Sequence, residues 1–148
     1  DTMYTSMFDN ETALKGYREF VDKLLAHDDG AILWHCTGGK DRAGTAAVIA
    51  LTLLGVDKET VIDDFELTNQ FNAKSIEYMK SNAAELTDDQ NEIEGVAMLT
   101  GVSRQLMENL FDRAESENGS MLEFLKAKLN ITDDEIATLR SKYLEPAE

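Results

Sequence analysis

The single cysteine of the chain lies in a short run of residues that could bind a phosphate group and attack it. Residues 35–42 read HCTGGKDR, so two glycines follow the cysteine closely and Arg42 stands six positions after Cys36. Because Gly38 and Gly39 can adopt backbone angles that other residues avoid, this loop can curl until its N–H groups converge on one point. A phosphate dianion is the natural ligand of such a loop.

The helix predicted after the loop strengthens the attraction for an anion. Its first N–H groups have no partner within the helix, and its dipole favours negative charge at this end. Arg42 offers a planar fork of donors that can hold two phosphate oxygens at once. In the same field the pKa of Cys36 should fall below its ordinary value, which favours a thiolate. Attack by the thiolate would give a phosphocysteine that water hydrolyses, with no metal ion or other cofactor.

The plainest alternative is a cysteine that serves only as a small apolar residue at the end of a core strand. The three neighbours of the cysteine are His just before it, Gly three positions after it and Arg six positions after it. The probability of this combination by chance is on the order of one in ten thousand. The chemical interpretation is therefore favoured.

The segments beside the loop predict an α/β fold. Residues 31–34 read AILW, which is typical of a short buried strand, and residues 43–54 are apolar nearly all round, as in a helix packed on a sheet. A cysteine between such a strand and helix is expected in a parallel or mixed sheet flanked by helices.

The rest of the sequence supplies helices but no second strand. The other predicted helices span residues 10–26, 57–69, 73–84 and 103–117, with two more after the capping-box sequences that begin at Ser120 and Thr132. An acidic loop is predicted at residues 88–92. Since one strand cannot form a sheet, we expect strands upstream to be missing and residues 1–148 to be one domain, the carboxy-terminal part of a longer chain. A mostly helical module that borrows strands from a partner is the alternative.

The loop sequence HCTGGKDRAG resembles the HCTAGKDRTG loop of the atypical bacterial tyrosine phosphatases. Residues 54–69 contain LGV and VIDDFELTN, similar to that family's LGV…DYLLTN helix, and the NGS, LNIT and LR segments of residues 118–140 are similar to its closing pattern. The resemblance covers most of the chain from about residue 31 and is weakest at residues 70–101. It implies the protein tyrosine phosphatase fold and hydrolysis of phosphotyrosine, often with activity on phosphoserine, phosphothreonine and phosphoinositides.

By this resemblance Cys36 is the nucleophile, Arg42 is a phosphate ligand and Asp41 is the general acid. The substrate phosphate would lie against the loop, that is, against Thr37, Gly38, Gly39, Lys40, Asp41 and Arg42. From the residues alone, the carboxylate of Asp41 can either point into the cleft and reach a leaving-group oxygen or point away and cap the loop. Residues 70–101 would form a wall or lid of the cleft.

Three nearby polar residues are candidates for supporting roles. Lys40 would add positive charge at the cleft mouth, which suits phosphopeptides and inositol phosphates with a second phosphate, unless it is an ordinary solvated lysine. Asp64 could orient Lys40 or Arg42 from the next helix, although Asp63 has the same chemistry and a solvated helix face is the commoner role. His35 should not reach the thiol as a base, because successive strand residues point to opposite faces, so a hydrogen bond to the loop backbone is expected.

Two loop positions depart from the family's pattern. Gly38 replaces an alanine, which is a mild change. Ala43 replaces a Thr or Ser whose hydroxyl stabilises the departing thiolate in these enzymes, so hydrolysis of the phosphoenzyme should slow more than its formation. This keeps a catalytically weak, phosphate-binding pseudophosphatase as an alternative. A thiol redox enzyme such as an arsenate reductase is a third interpretation, but it commonly needs a resolving cysteine and this chain has one cysteine in all.

The net charge of the chain limits the classes of partner that it is expected to bind. Its 14 Lys and Arg residues against 29 Asp and Glu give a net charge of −15, which argues against nucleic acid and against adsorption to anionic membranes. The longest apolar run, near residues 46–54, is too short for a membrane span. Because the chain has two histidines and one cysteine, a metal site is not expected. The expected partners are a phosphorylated protein or phosphoinositide and the chain's own missing amino-terminal segment. A cytoplasmic and a secreted location in a bacterium both remain open.

Overall fold

The computed structural model describes residues 2–145, and within this range the regular secondary structure is α-helix. The helices are α1 (Met3–Met7), α2 (Glu11–Ala26), α3 (Arg42–Leu54), α4 (Lys58–Phe71), α5 (Ala73–Ala84), α6 (Gln90–Thr100), α7 (Arg104–Asn118), α8 (Met121–Leu129) and α9 (Asp133–Tyr143). No helix of this range is both long and apolar enough to cross a membrane.

The predicted α/β sheet fold is wrong for the part of the chain that the structure describes. Residues 31–36 form an irregular segment, and no strand or sheet occurs between residues 2 and 145. The reason is that a strand exists through hydrogen bonds to a second strand, whereas the rest of this range is folded into helices and short connections. The AILW run is not buried as predicted either, since Leu33 is 89% exposed and Trp34 is 37% exposed. The lone strand that suggested missing upstream strands therefore does not form.

The predicted helices at residues 10–26, 43–54, 57–69, 73–84 and 103–117 all form, with ends within two residues of those predicted. Between residues 2 and 145, five helices begin at a side chain that accepts a hydrogen bond from the backbone N–H three residues later, namely Asn10, Asp57, Ser103, Ser120 and Thr132. Such caps satisfy N–H groups that a helix leaves unpaired at its start. Thr132 and Glu135 complete the reciprocal capping box.

The helices α1 and α6 were not predicted. α1 has five residues, which is too short for a helical period to show in the sequence. α6 begins at Gln90, so the predicted loop at residues 88–92 is wrong beyond Asp89, whose side chain accepts a hydrogen bond from the Asn91 N–H. The acidic residues that suggested a loop are typical of a helix start, because the helix dipole favours negative charge there.

α3 crosses the core and carries the cysteine loop at its amino end. Its Val48, Ile49 and Leu53 are at most 2% exposed, and it packs against α2, α4, α8 and α9. In its first turn, a Cβ on Gly44 would lie 2.9 Å from the ring of Phe65, so the absence of a side chain here lets α4 approach closely. The amino end of α3 is thereby held against α4.

Candidate active site

The loop between the irregular segment and α3 brings the sequence-predicted residues together. Residues 37–41 form a bent loop in which Gly39 has a φ of 70°, a left-handed backbone angle that favours glycine. α3 begins directly at Arg42, so the unpaired N–H groups of its first turn lie next to this bent loop. The loop has the arrangement of N–H groups at a helix start that is suited to an anion.

The Cys36 side chain is half-buried and lies against the amides of its own loop. The Gly39 N–H donates a hydrogen bond to Cys36 Sγ at 3.2 Å. Burial by itself raises the pKa of the Cys36 thiol. Hydrogen bonds from the N–H groups of Ala43, Gly39 and Gly38 act against it, and with the charge of Arg42 they bring the pKa below its ordinary value. The loop therefore favours the thiolate.

We expect iodoacetamide to modify Cys36 at a lower pH than an ordinary thiol requires. Because the folded loop stabilises the thiolate, the alkylation rate should rise through a midpoint below the ordinary value of about 8.5 and stay high at more alkaline pH. Mass spectrometry over a pH series measures this at one site, since the chain has one cysteine. Urea-unfolded protein is the control, and equal midpoints for folded and unfolded protein would contradict the account.

Arg42 closes the loop at the start of α3. Its Nη2 donates a hydrogen bond to Thr37 Oγ1 at 3.2 Å. Its side chain is exposed, and no carboxylate of residues 2–145 forms a salt bridge with it. The neighbouring carboxylate, that of Asp41, pairs with Lys40 instead. The guanidinium fork therefore keeps donors for an incoming anion.

Asp41 occupies the N-cap position of α3, yet its side chain does not cap the helix. Its Oδ1 accepts a hydrogen bond from the Tyr4 hydroxyl at 3.1 Å, and its Oδ2 lies 2.8 Å from the Lys40 ammonium. Lys40 is 14% exposed and is thus not an ordinary solvated lysine. The carboxylate stays partly exposed beside the loop.

His35 contacts the loop backbone and not the thiol. Its Nδ1 lies 3.3 Å from the carbonyl oxygen of Cys36, which is a hydrogen bond in the tautomer that carries the proton on Nδ1. This is the kind of contact expected of His35 from the sequence.

A recess of about 270 Å³ opens between the loop and α4. Residues of both sides line it, among them Gly38, Gly39 and Lys40 from the loop and Asp64, Leu67 and Phe71 from α4. Asp64 forms no salt bridge with Lys40 or Arg42 within residues 2–145, while Asp63 pairs with Arg104 at 2.6 Å. Leu67 and Phe71 are 38% and 85% exposed, so the α4 wall offers open apolar surface next to the polar groups of Asp64 and Thr68.

The predicted wall or lid at residues 70–101 reaches the recess only at its beginning. Phe71 and Asn72 line the recess, whereas α5 and α6 pack mainly on each other as a helical hairpin. A larger groove of about 610 Å³ is lined by Arg42, His35 and residues of α2.

Tyr4, Leu67 and Phe71 adjoin the candidate site and were not singled out from the sequence. Tyr4 lies 37 residues from Asp41 in a helix too short to predict, and no local pattern links the two. Leu67 and Phe71 occur four residues apart, which places them on one face of α4. That spacing could have marked an apolar face beside Asp64, but it is equally typical of an ordinary core-facing stripe.

Comparisons with known proteins identify the family. A model of the tyrosine phosphatase family matches residues 1–145. A tyrosine-protein phosphatase of Nostoc commune is 34% identical over 55 residues, which cover 37% of this chain and 19% of that protein. A protein of Cupriavidus necator, named as a candidate tyrosine-protein phosphatase, is 38% identical over 60 residues, or 39% of this chain and 22% of that protein. The matched stretches thus cover about a fifth of each relative. The family that the loop sequence suggested is confirmed, and the chain belongs to the tyrosine phosphatase family.

Proposed function

We propose that the chain acts as a protein-tyrosine phosphatase through a phosphocysteine intermediate. The observation that carries this proposal is the loop at the start of α3, in which a thiol, converging amides and a guanidinium lie together. Cys36 Sγ accepts a hydrogen bond from a loop amide, and Arg42 has no carboxylate partner within residues 2–145. These are the groups that a thiolate attack on a bound phosphate requires.

In the first step the Cys36 thiolate attacks the phosphorus atom of a phosphotyrosine held in the loop. A bond forms between Sγ and phosphorus while the bond from phosphorus to the phenolic oxygen breaks, and the electron pair leaves with that oxygen. The loop amides and Arg42 stabilise the charge on the three equatorial oxygens. In the second step water attacks the phosphocysteine, which releases inorganic phosphate and restores the thiolate.

Asp41 supplies and recovers the proton in this scheme. It donates a proton to the tyrosine oxygen as that oxygen leaves, and it then accepts a proton from the attacking water. Its position supports this role, because the carboxylate does not cap α3 and stays partly exposed next to the loop.

The α4 wall of the recess favours an aromatic leaving group. Leu67 and Phe71 expose apolar surface beside the loop glycines, where the ring of a phosphotyrosine could pack edge-on or offset against Phe71. Lys40, which would meet a second phosphate of a phosphoinositide, is instead paired with Asp41. Phosphotyrosine is therefore the substrate with the stronger support.

The direct test is phosphate release from a phosphotyrosine peptide by the full-length protein in the presence of a chelator. We expect turnover without added metal, because the scheme needs none. Phosphate binding without release from any monoester would contradict the proposal and favour a pseudophosphatase.

Phe71→Ala is expected to weaken catalysis on phosphotyrosine selectively. Loss of an aromatic contact should lower kcat/KM for a phosphotyrosine peptide about threefold to tenfold and leave a phosphoserine peptide of the same sequence unchanged. Leu86→Ala is the matched control, because Leu86 is 88% exposed and does not line the recess. Equal losses on both peptides would remove the argument for an aromatic substrate.

Ala43→Thr is expected to speed the second step. The parent should show a rapid burst of nitrophenol from 4-nitrophenyl phosphate followed by slow turnover, because no hydroxyl follows Arg42 to stabilise the departing thiolate. The variant should raise kcat up to about tenfold, the effect of one good hydrogen bond, and shrink the burst. The same change one turn later, Ala47→Thr, is the control. A parent without a burst would show that the second step is not slow.

A further inference from the structure

Tyr4 of α1 places a phenol in the core with its hydroxyl directed at the loop. The side chain is 1% exposed, and the hydroxyl donates a hydrogen bond to Asp41 Oδ1 at 3.1 Å. Its ring packs edge-on against Phe65, with ring centroids 5.2 Å apart, and Phe65 in turn lies against Gly44. The phenol is thus held by the contacts that join α3 to α4.

The hydroxyl of Tyr4 has one side-chain partner that explains its burial. A buried hydroxyl is unfavourable unless it finds a partner, and here the partner is the Asp41 carboxylate. Burial, together with the charge of Asp41, raises the pKa of Tyr4 above its ordinary value. The hydroxyl therefore keeps its proton and remains a donor to the carboxylate.

Tyr4 and Lys40 hold Asp41 in different ways. The Lys40 ammonium, on a flexible stem next to Asp41 in the chain, lies 3.0 Å from Oδ1 and 2.8 Å from Oδ2. Tyr4 contacts Oδ1 alone, from a ring fixed in the core. The phenol therefore makes the two oxygens unequal: Oδ1 accepts from both Tyr4 and Lys40, whereas Oδ2 accepts from Lys40 alone and can carry a proton once that flexible ammonium moves away.

We propose that Tyr4 is a positioning residue that orients Asp41 so that a proton on Oδ2 reaches the leaving-group oxygen. The proposal rests on the proposed function, in which Asp41 is the proton donor. Within residues 2–145 the Tyr4 hydroxyl bonds to Asp41 and forms no hydrogen bond to the thiol or the loop amides. Its contribution must then depend on how strongly the leaving group needs a proton, because an unsubstituted phenolate departs poorly without one and a dinitrophenolate departs readily.

The test compares Tyr4→Phe with the parent, as full-length proteins, on phenyl phosphate and 2,4-dinitrophenyl phosphate. We expect kcat/KM to fall about tenfold for phenyl phosphate and less than about twofold for the dinitrophenyl ester. Both rates are measured on one sample, so an unfolded fraction cancels in their ratio. Equal falls on the two esters would indicate a purely structural role and overturn the proposal.

Two further variants make the test specific. Tyr143→Phe also removes a phenolic hydroxyl, which donates to the Leu24 carbonyl oxygen at 2.8 Å, and should leave the ratio unchanged. Asp41→Asn should show the same leaving-group dependence more strongly, and adding Tyr4→Phe to it should change neither rate further. An additional fall of the double variant on phenyl phosphate would overturn the proposal.

Failure of this inference can be told apart from failure of the proposed function. If Asp41→Asn shows the leaving-group dependence and Tyr4→Phe does not, only the role of Tyr4 is overturned. If Asp41→Asn shows no such dependence, or if a Cys36→Ser variant keeps the activity, the proposed function fails and the role of Tyr4 fails with it.

Discussion

Replacing Cys36 by Ser is expected to abolish phosphate release from a phosphotyrosine peptide, with kcat reduced by more than about a thousandfold. The serine hydroxyl has nearly the same size as the thiol, but it does not ionise near neutral pH. The loop that lowers the pKa of the thiol cannot make a comparable nucleophile of an alcohol. The measurement is the initial rate of phosphate release by the full-length protein with a chelator present.

The control for Cys36→Ser is substrate binding. The loop amides and the Arg42 guanidinium remain in the variant, so it should bind a phosphotyrosine peptide about as tightly as the parent does. Retained binding with lost turnover separates the chemistry from the fold. Turnover near the parent rate would show that the thiol is not the nucleophile.

Arg42→Lys is expected to lower kcat/KM by about 10²- to 10³-fold although the charge is kept. A lysine cannot hold two phosphate oxygens with a planar fork, and removal of one preorganised donor to transition-state charge typically has an effect of this size. Steady-state kinetics on a phosphotyrosine peptide measures it. The bond from Arg42 to Thr37 is lost as well, which loosens the loop.

The same conservative change elsewhere provides the control for Arg42→Lys. Arg18 pairs with Glu135 and Asp22 on another face of the molecule, so Arg18→Lys should change kcat/KM less than about twofold. If Arg42→Lys were as active as Arg18→Lys, the guanidinium would not be a ligand of the reacting phosphate.

The cysteine loop could be predicted from sequence because its chemistry is local. Thiol, glycines and guanidinium lie within seven consecutive residues, and the next helix follows at once. The capped helices were predictable for the same reason, since a cap such as Thr132 and its partner Glu135 are three residues apart. Local patterns of this kind depend little on the rest of the chain.

Two features that the sequence did not predict depend on residues far apart in the chain. They are the absence of a strand at residues 31–34 and the contact of Tyr4 with Asp41. Whether residues 31–34 form a strand is decided by a hydrogen-bonding partner, and composition alone does not reveal one. The contact from Tyr4 to Asp41 spans 37 residues and arises only once α1 has packed on the core. No local pattern in the sequence indicates that Asp41 Oδ1 accepts a hydrogen bond from Tyr4.

The central claim is that phosphate passes through Cys36, and trapping the phosphoenzyme tests it most directly. The full-length protein is mixed with a phosphotyrosine peptide, quenched within the first turnover and digested for mass spectrometry. The account predicts one phosphate on the peptide that contains Cys36, and none when Cys36→Ser is treated in the same way. Phosphate release in the first turnover with no label on Cys36 would contradict the account.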